Sequence, residues 1–289
     1  MHSPSSLRQR ISEGRLLTAP GVFDMISARI ADAMGFDALY MTGYGTVASH
    51  LGLPDAGLAT YTDMVERVRC IAQGTTTPLI ADGDTGYGGL LNVEHTVRGY
   101  EAAGAHAIQL EDQEFPKKCG HTPGRRVIPM ADMVAKIRVA VESRDSRDFL
   151  IIARTDARTN YGLDEALRRA EAYAKAGADI LFVESPESEA EMERICRTLR
   201  LPLLANMVEG GKTPILSAAR LQELGYAIAI FPATGFLAVG AALQKAYGAI
   251  RENGSTAGQP LELFEFQRFN KLMGFERVWE FERRHVASG

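Results

Sequence analysis

Short apolar runs recur along the chain, each after a helix-like stretch that ends in glycine. The pattern is clearest in four segments, ADAMGFDALYMTG, YEAAGAHAIQLED, YAKAGADILFVES and LQELGYAIAIFP. Glycine in that place is typical of a helix that ends in a left-handed cap. The apolar runs lack strict alternation, as is typical of parallel strands covered on both faces. The pattern therefore predicts helices that alternate with buried parallel strands.

Four further apolar runs bring the number of predicted strands to eight, at residues 16–22, 78–84, 149–156 and 202–208. Helical stretches lie between the strands, for example at 92–103 and 163–176. Eight such units without a doubled dinucleotide-binding fingerprint favour a (β/α)8 barrel, with a doubly wound open sheet as the alternative. We assign residues 1–254 to this barrel, because such barrels commonly form one unit of about 250 residues.

Residues 255–289 form a C-terminal extension rich in aromatic side chains. After a loop at 254–260, the sequence PLELFEFQRFNKLMGFERVWEFERR predicts one or two amphipathic helices. Two interpretations stay open. The extension could cap the helical ring of its own barrel, or it could contact another subunit, because large exposed apolar surfaces usually mark interfaces.

Composition narrows the class of protein. The 289 residues carry a net charge of −4, with 46% hydrophobic and 24% charged residues, which is typical of a globular protein. This mildly acidic balance predicts no binding to nucleic acid or anionic membranes. No apolar run is long enough to span a membrane, and MHSPSSLRQR lacks the apolar core of a signal peptide. Three cysteines without CxxC spacing argue against disulfides or a zinc site. We therefore expect a cytoplasmic protein.

Acidic side chains follow two neighbouring predicted strands, where the active site of a barrel lies. Asp82 and Asp84 end the third strand, and Glu111 ends the fourth. Residues two apart on a strand share one side, so we expect the two aspartates to point together. A lone aspartate could cap the next helix, but three adjacent carboxylates would repel each other without a cation. Oxygen ligands without a histidine cluster predict Mg²⁺, or Mn²⁺.

The stretch EDQEFPKKCGH, residues 111–121, places a thiol among charged side chains. The basic neighbours of Cys119 favour its thiolate form, so this thiol can act as an acid or base near neutral pH. A free cysteine is more often a small buried apolar residue, and Cys70 and Cys196 fit that interpretation because both lie in helical patterns. Residues 114–126 contain two prolines, two glycines and several basic side chains, which predicts a lid over the metal site.

Several motifs together resemble one known superfamily. They are EDQ followed by KKCGH, the DGDTGYGG turn, LGLPD, the strand end ARTD and LLANMVEGGKTP. These residues resemble the isocitrate lyase and phosphoenolpyruvate mutase superfamily, above all its short lyase branch with 2-methylisocitrate lyase and 2,3-dimethylmalate lyase. The similarity covers roughly residues 15–254. It implies a magnesium-dependent barrel that cleaves a carbon–carbon bond of a 2-hydroxy di- or tricarboxylate, giving an α-keto acid such as pyruvate and a second carboxylic acid.

The resemblance also implies roles for individual residues. Asp82 and Asp84 would hold the metal ion, and Asp55 and Glu111 would bind its water ligands. Catalysis would involve Cys119 as the general acid, together with His121, Arg154 and Glu184. The substrate would contact Tyr40, Thr42, Gly43, Tyr44, Gly120 and Asn206. The superfamily further implies a homotetramer whose subunits exchange a C-terminal helix.

Two positions depart from the methylisocitrate-specific pattern. Tyr44 stands in TGYG where a glycine is expected, and Leu237 lies where an arginine would pair with a third carboxylate. An unpaired buried carboxylate is costly, so we expect a dicarboxylate such as an alkylmalate or dimethylmalate. Alternatives are an oxaloacetate hydrolase or decarboxylase, a phosphonopyruvate hydrolase or mutase, a generic phosphate-binding barrel that would use EGGK at 209–212, and a non-catalytic scaffold.

Overall fold

The computed structural model describes residues 6–120, 122 and 124–285. Eight strands form one sheet in the order β6-β5-β4-β3-β2-β1-β8-β7, and every neighbouring pair is parallel. A parallel bridge between Leu181 and Leu203 brings the two edges together. The strands are β1 Leu17–Val22, β2 Leu39–Met41, β3 Leu79–Asp82, β4 Ala107–Glu111, β5 Leu150–Thr155, β6 Ile180–Val183, β7 Leu204–Asn206 and β8 Ile228–Phe231. The predicted (β/α)8 barrel is confirmed, and the alternative prediction of a doubly wound open sheet is wrong.

Helices surround this barrel and end where the glycine pattern predicts. They are α1 Leu7–Ser12, α2 Met25–Met34, α3 Gly43–Leu51, α4 Tyr61–Gly74, α5 Leu90–Ala102, α6 Met130–Ser143, α7 Arg158–Lys175, α8 Glu189–Thr198, α9 Ala218–Leu224, α10 Thr234–Asn253, α11 Phe266–Leu272 and α12 Phe275–His285. Gly35, Gly104, Gly177 and Gly225 all have positive φ, between 76° and 109°. Their left-handed conformation, which glycine adopts without steric cost, confirms the predicted helix ends.

The barrel wall separates two apolar layers. The inner layer fills the barrel with strand residues such as Ile80, Ile152 and Phe182, and Leu7 of α1 packs against it. The outer layer lies between the strands and the surrounding helices. Because both faces of each strand are covered, the strands need apolar residues at successive positions. The charged residues of the strands, Asp82, Glu111 and Arg154, all lie at or next to strand ends.

The last three helices bury no side chain. Neither α10 nor the two short helices α11 and α12 contains a buried residue, although Leu243, Phe266 and Trp279 are apolar. Within the described residues, no helix is long and apolar enough to cross a membrane. The sequence predicted one or two amphipathic helices in the C-terminal extension, and the structure has two, α11 and α12, with much of their apolar surface exposed.

Candidate active site

The carboxyl ends of the strands surround a cavity of about 230 Å³. Its lining includes most of the predicted site residues, namely Tyr40, Thr42, Tyr44, Asp55, Asp82, Glu111, Cys119, Gly120, Arg154, Glu184 and Asn206. Gly43, at the start of α3, lies against the aspartates. A Cβ atom at this glycine would lie 2.6 Å from Asp82 Oδ2 and 3.6 Å from Asp84 Oδ1. His121 lies outside the described residues.

The two aspartates meet through a turn rather than through strand alternation. Asp82 is the last residue of β3, whereas Asp84 follows the strand with φ 49°. The backbone N–H of Asp84 donates to Asp82 Oδ1 at 3.0 Å, and Gln109 Nε2 lies 3.3 Å from the same oxygen. The expectation that both aspartates lie on one side of a strand is therefore wrong for Asp84. The turn still brings both carboxylates to the same corner of the cavity.

Lys117 supplies a buried cation to this acidic corner. Its ammonium group forms ion pairs with Asp55 and Asp84, and its side chain is almost fully buried. Burial lowers the pKa of Lys117, but the charges of Asp84 and Asp55 outweigh it, and the net pKa lies well above the usual value. The charge of Lys117 is therefore directed at the carboxylates of Asp55 and Asp84. The sequence-based interpretation placed it beside the thiol of Cys119.

Burial changes the protonation of the carboxylates themselves. Burial raises the pKa of Asp84 to about 7, although Lys117 opposes the shift. Burial also raises the pKa of Glu111 well above its usual value, with Arg154 opposing. A cation next to these groups would favour their ionised forms.

Arg154, at the end of β5, is held by three carboxylates. Its Nε and Nη2 atoms both lie 2.9 Å from Asp156 oxygens, which is a bidentate arrangement. Its guanidinium group also lies 3.2 Å from Glu111 Oε2 and 3.3 Å from Glu184 Oε2. Asn206 Nδ2 donates to Glu184 Oε2 at 3.0 Å. These contacts fix the direction of Arg154 at the cavity wall.

Residues 117–120 and Thr122 of the predicted lid line the cavity, and hydrogen bonds hold this part of the segment at several points. Gln113 accepts from the Lys118 backbone N–H at 3.0 Å and donates to the Lys118 carbonyl at 2.8 Å. The Cys119 N–H lies 3.2 Å from the carbonyl of Asp55. Cys119 itself is half-buried and lines the cavity. The cysteine therefore faces the same cavity as the carboxylates rather than an apolar core.

Part of the cavity wall is apolar. The rings of Tyr44 and Phe236 pack with centroids 5.3 Å apart. Val208, Pro232 and Leu237 extend this wall. A wall of this kind favours an apolar substituent over a charged group, because an unpaired carboxylate here would lose its hydration.

The donor set fits a hard divalent cation. The described part of the chain contains no group of three or more His, Cys, Asp and Glu side chains arranged to enclose an ion. Mg²⁺ does not need one, since one or two carboxylates and several water molecules suffice. Glu111 Oε1 is buried and accepts no hydrogen bond from the described residues. Together with Asp82 and Asp84, it supplies the oxygen atoms that could bind such a cation directly or through water.

Some residues of this site escaped the sequence-based reasoning. Gln109 accepts a hydrogen bond from the Tyr40 hydroxyl at 3.0 Å and donates toward Asp82. Asp156 positions Arg154, and Phe236 builds the apolar wall. A signal for Gln109 was present, since a glutamine interrupts the apolar run AHAIQL. Phe236 carried no such signal, because an aromatic residue near the start of a helix is usual in any barrel.

An eight-stranded barrel with charged side chains gathered at its carboxyl end is the architecture of a barrel enzyme. The sequence profile of the phosphoenolpyruvate phosphomutase family matches residues 7–251. The chain is 48% identical to the 2,3-dimethylmalate lyase of Eubacterium barkeri, over 99% of both chains. It is 42% identical to the 2-methylisocitrate lyase of Aeropyrum pernix, over 96% of this chain and 88% of the relative.

Solved structures agree with these sequence comparisons. An oxaloacetate acetylhydrolase bound to 3,3-difluorooxalacetate superposes with a TM-score of 0.92 and 34% identity, covering 98% of this chain and 97% of the other. A 2,3-dimethylmalate lyase gives a TM-score of 0.91 with 36% identity, covering 97% and 94%. A phosphonopyruvate hydrolase that contains oxalate and Mg²⁺ gives 0.87 with 31% identity, covering 97% and 98%.

The chain thus belongs to the phosphoenolpyruvate mutase and isocitrate lyase superfamily, and it is a lyase of that superfamily. The predicted family membership is confirmed. The predicted metal is matched by the Mg²⁺ of the phosphonopyruvate hydrolase complex.

Proposed function

We propose that the chain cleaves the C2–C3 bond of a 2-hydroxy dicarboxylate that carries alkyl groups, giving an α-keto acid such as pyruvate and a second carboxylic acid. The observation that carries the proposal is that Cys119 lines the same cavity as the carboxylates Asp82 and Glu111 and the apolar side chains of Phe236 and Leu237. The names of the dimethylmalate and methylisocitrate lyases support this class of substrate.

The acidic corner would take the α-keto acid half of the substrate. Asp82 and Asp84 would hold Mg²⁺ or Mn²⁺, and Asp55 and Glu111 would bind its water ligands. When bound, the cation supplies Lewis-acid polarisation of the substrate oxygen atoms. Tyr40 and the first turn of α3, which has no side-chain cap on its N–H groups, would bind the substrate carboxylate. Arg154, Glu184 and Asn206 would orient the other end.

Cys119 would complete the reaction as the general acid. When the C2–C3 bond breaks, its electron pair stays on C3. The proton of the C2 hydroxyl group passes to a carboxylate of the acidic corner as the carbonyl forms. The thiol then donates its proton to C3, and the closed lid keeps water away from that carbon. His121 would assist beside the thiol, as the superfamily pattern implies. Gly120 lets the lid backbone approach the site, because a Cβ atom there would lie 2.4 Å from Arg154 Nη2.

A panel of substrates tests the reaction. We expect Mg²⁺-dependent pyruvate release from 2,3-dimethylmalate and related alkylmalates, and loss of that activity with EDTA. Oxaloacetate belongs in the panel because an oxaloacetate acetylhydrolase superposes with a TM-score of 0.92. Release of oxalate and acetate would favour the hydrolase instead. Turnover of phosphonopyruvate alone would favour the phosphonate branch, and turnover of none would contradict the enzyme proposal.

We further propose that residues 255–289 form an extension separate from the catalytic barrel of 1–254, and that it is exchanged between subunits of a homotetramer. The support is that α10, α11 and α12 bury no side chain within one chain. A second copy is the partner that would cover this apolar surface. The protein would act in the cytoplasm on a small di- or tricarboxylate, without nucleic acid or membrane partners.

A further inference from the structure

Ser185 adopts a backbone conformation that serine rarely takes. It follows β6 and Glu184, has φ 59° and is fully buried. A left-handed conformation at a residue with a Cβ atom costs free energy, and such strain persists where the surrounding structure enforces it. Glycine would avoid the cost. We therefore ask which contacts of the Ser185 hydroxyl group offset this backbone strain.

The hydroxyl of Ser185 joins the barrel to the lid. Its Oγ atom lies 3.1 Å from the carbonyl oxygen of Gly120 and 3.2 Å from Glu184 Oε1. The same glutamate oxygen already accepts the Ser185 backbone N–H at 2.7 Å. A hydroxyl has one proton to donate. Its distinctive acceptor is thus Gly120, the residue that follows Cys119.

Gly120 occupies a slot with almost no spare room. A Cβ atom on this residue would lie 2.4 Å from Arg154 Nη2 and 2.8 Å from Glu184 Oε2. The lid backbone therefore lies directly on the Arg154–Glu184 ion pair. A hydrogen bond to the carbonyl of Gly120 fixes the peptide in this slot, and with it the position of the neighbouring thiol.

We propose that Ser185 is a positioning residue that holds the closed lid through the carbonyl of Gly120 and so sets the place of Cys119. It acts through the lid and touches no reacting atom. The expected loss of turnover rests on the proposed lyase function. The expected change in exposure of the thiol does not.

Two substitutions separate the hydroxyl from the backbone strain. Ser185→Ala removes the hydroxyl and keeps the strain, whereas Ser185→Gly removes both. We expect Ser185→Gly to have the higher Tm of the two. Both should raise the rate of iodoacetamide modification of Cys119 about fivefold, the effect of losing one buried hydrogen bond, and both should lower kcat by a similar factor.

The chain offers internal controls for this measurement. Cys70 is exposed, so its modification rate, followed by peptide mass mapping, should be equal in all variants. Ser188→Ala removes the N-cap hydrogen bond of α8 to Glu191. It should lower Tm without changing the reactivity of Cys119, because it does not contact the lid.

Two outcomes would overturn the proposal. In one, neither variant changes the reactivity of Cys119. In the other, Ser185→Gly behaves like the wild type while Ser185→Ala does not, which would make the role one of backbone conformation alone. Faster modification of Cys119 in both variants, with no dicarboxylate turned over by the wild type, would support the lid contact and contradict the proposed reaction.

Discussion

Cys119 lies on the lid with its backbone N–H 3.2 Å from the carbonyl of Asp55. A positioned acid typically contributes about 10² to 10⁴ in rate. We therefore expect Cys119→Ala and Cys119→Ser to lower kcat by that factor and to leave KM nearly unchanged, because the carboxylate-binding groups stay in place. Steady-state kinetics with an alkylmalate measures both. Cys70→Ser is the matched control and should keep wild-type turnover. Full activity of Cys119→Ala would show that the thiol is not the general acid.

Leu237 lies on the apolar wall beside Phe236 and is 48% exposed. An arginine at this position could pair with a third carboxylate of the substrate. We expect Leu237→Arg to raise the ratio of kcat/KM for 2-methylisocitrate to that for 2,3-dimethylmalate by at least about tenfold, the value of one good charged contact. Leu237→Met controls for the change in shape. An unchanged ratio would mean that this wall does not select the substrate.

His106, at the start of β4, links two neighbouring strands of the barrel. Its Nδ1 atom accepts the backbone N–H of Leu79 at 3.1 Å, so that nitrogen carries no proton in the folded state. Burial lowers the pKa of His106, with a smaller contribution from the charge of Arg10. The unfolded chain then binds more protons than the folded one just below pH ~6.5. The stability that His106 contributes is present above that pH and is lost as the pH falls through the folded pKa.

We therefore expect the Tm of the wild type to fall between pH 7.5 and 5.5 by more than that of His106→Asn. The asparagine can still accept from Leu79 but cannot take up a proton. Thermal unfolding followed by circular dichroism at both pH values measures the difference. An equal fall of Tm in both proteins would show that another titrating group causes the loss of stability at low pH.

At the scale of the whole molecule, the described C-terminal helices leave large apolar side chains exposed. Phe266 is 76% exposed and Trp279 is 46% exposed. We expect the protein to be a tetramer by light scattering, and a variant ending at Gly254 to give smaller species. Phe266→Asp should weaken the assembly at low protein concentration. Leu91→Asp, an equally exposed position on α5, should not. A monomer at all concentrations would contradict the proposed exchange.

The sequence predicted the barrel well, because its signals are local. Each apolar run and each helix-ending glycine is contained in about ten residues, and parallel strands follow from runs without alternation. Asp82 and Glu111 were predicted for the same reason, since each of them ends a strand. The ion pairs of Lys117 were not predicted. They depend on how the lid segment folds back onto Asp55, which lies 62 residues earlier in the chain. Ser185 likewise gains its role from Gly120, which lies 65 residues earlier in the chain.

Leu7 belongs to the inner apolar layer of the barrel, where it is fully buried with Leu17, Leu150 and Ile228. This packing closes the barrel at its amino end, so we expect substrate and products to pass through the cavity at the carboxyl end. The two fragments of the proposed reaction would then depart one after the other, with the fragment nearer the lid leaving first. The deeper fragment, the α-keto acid, should compete with the substrate for free enzyme, whereas the other fragment should inhibit noncompetitively. The reverse pattern of product inhibition would show that the order of departure is different.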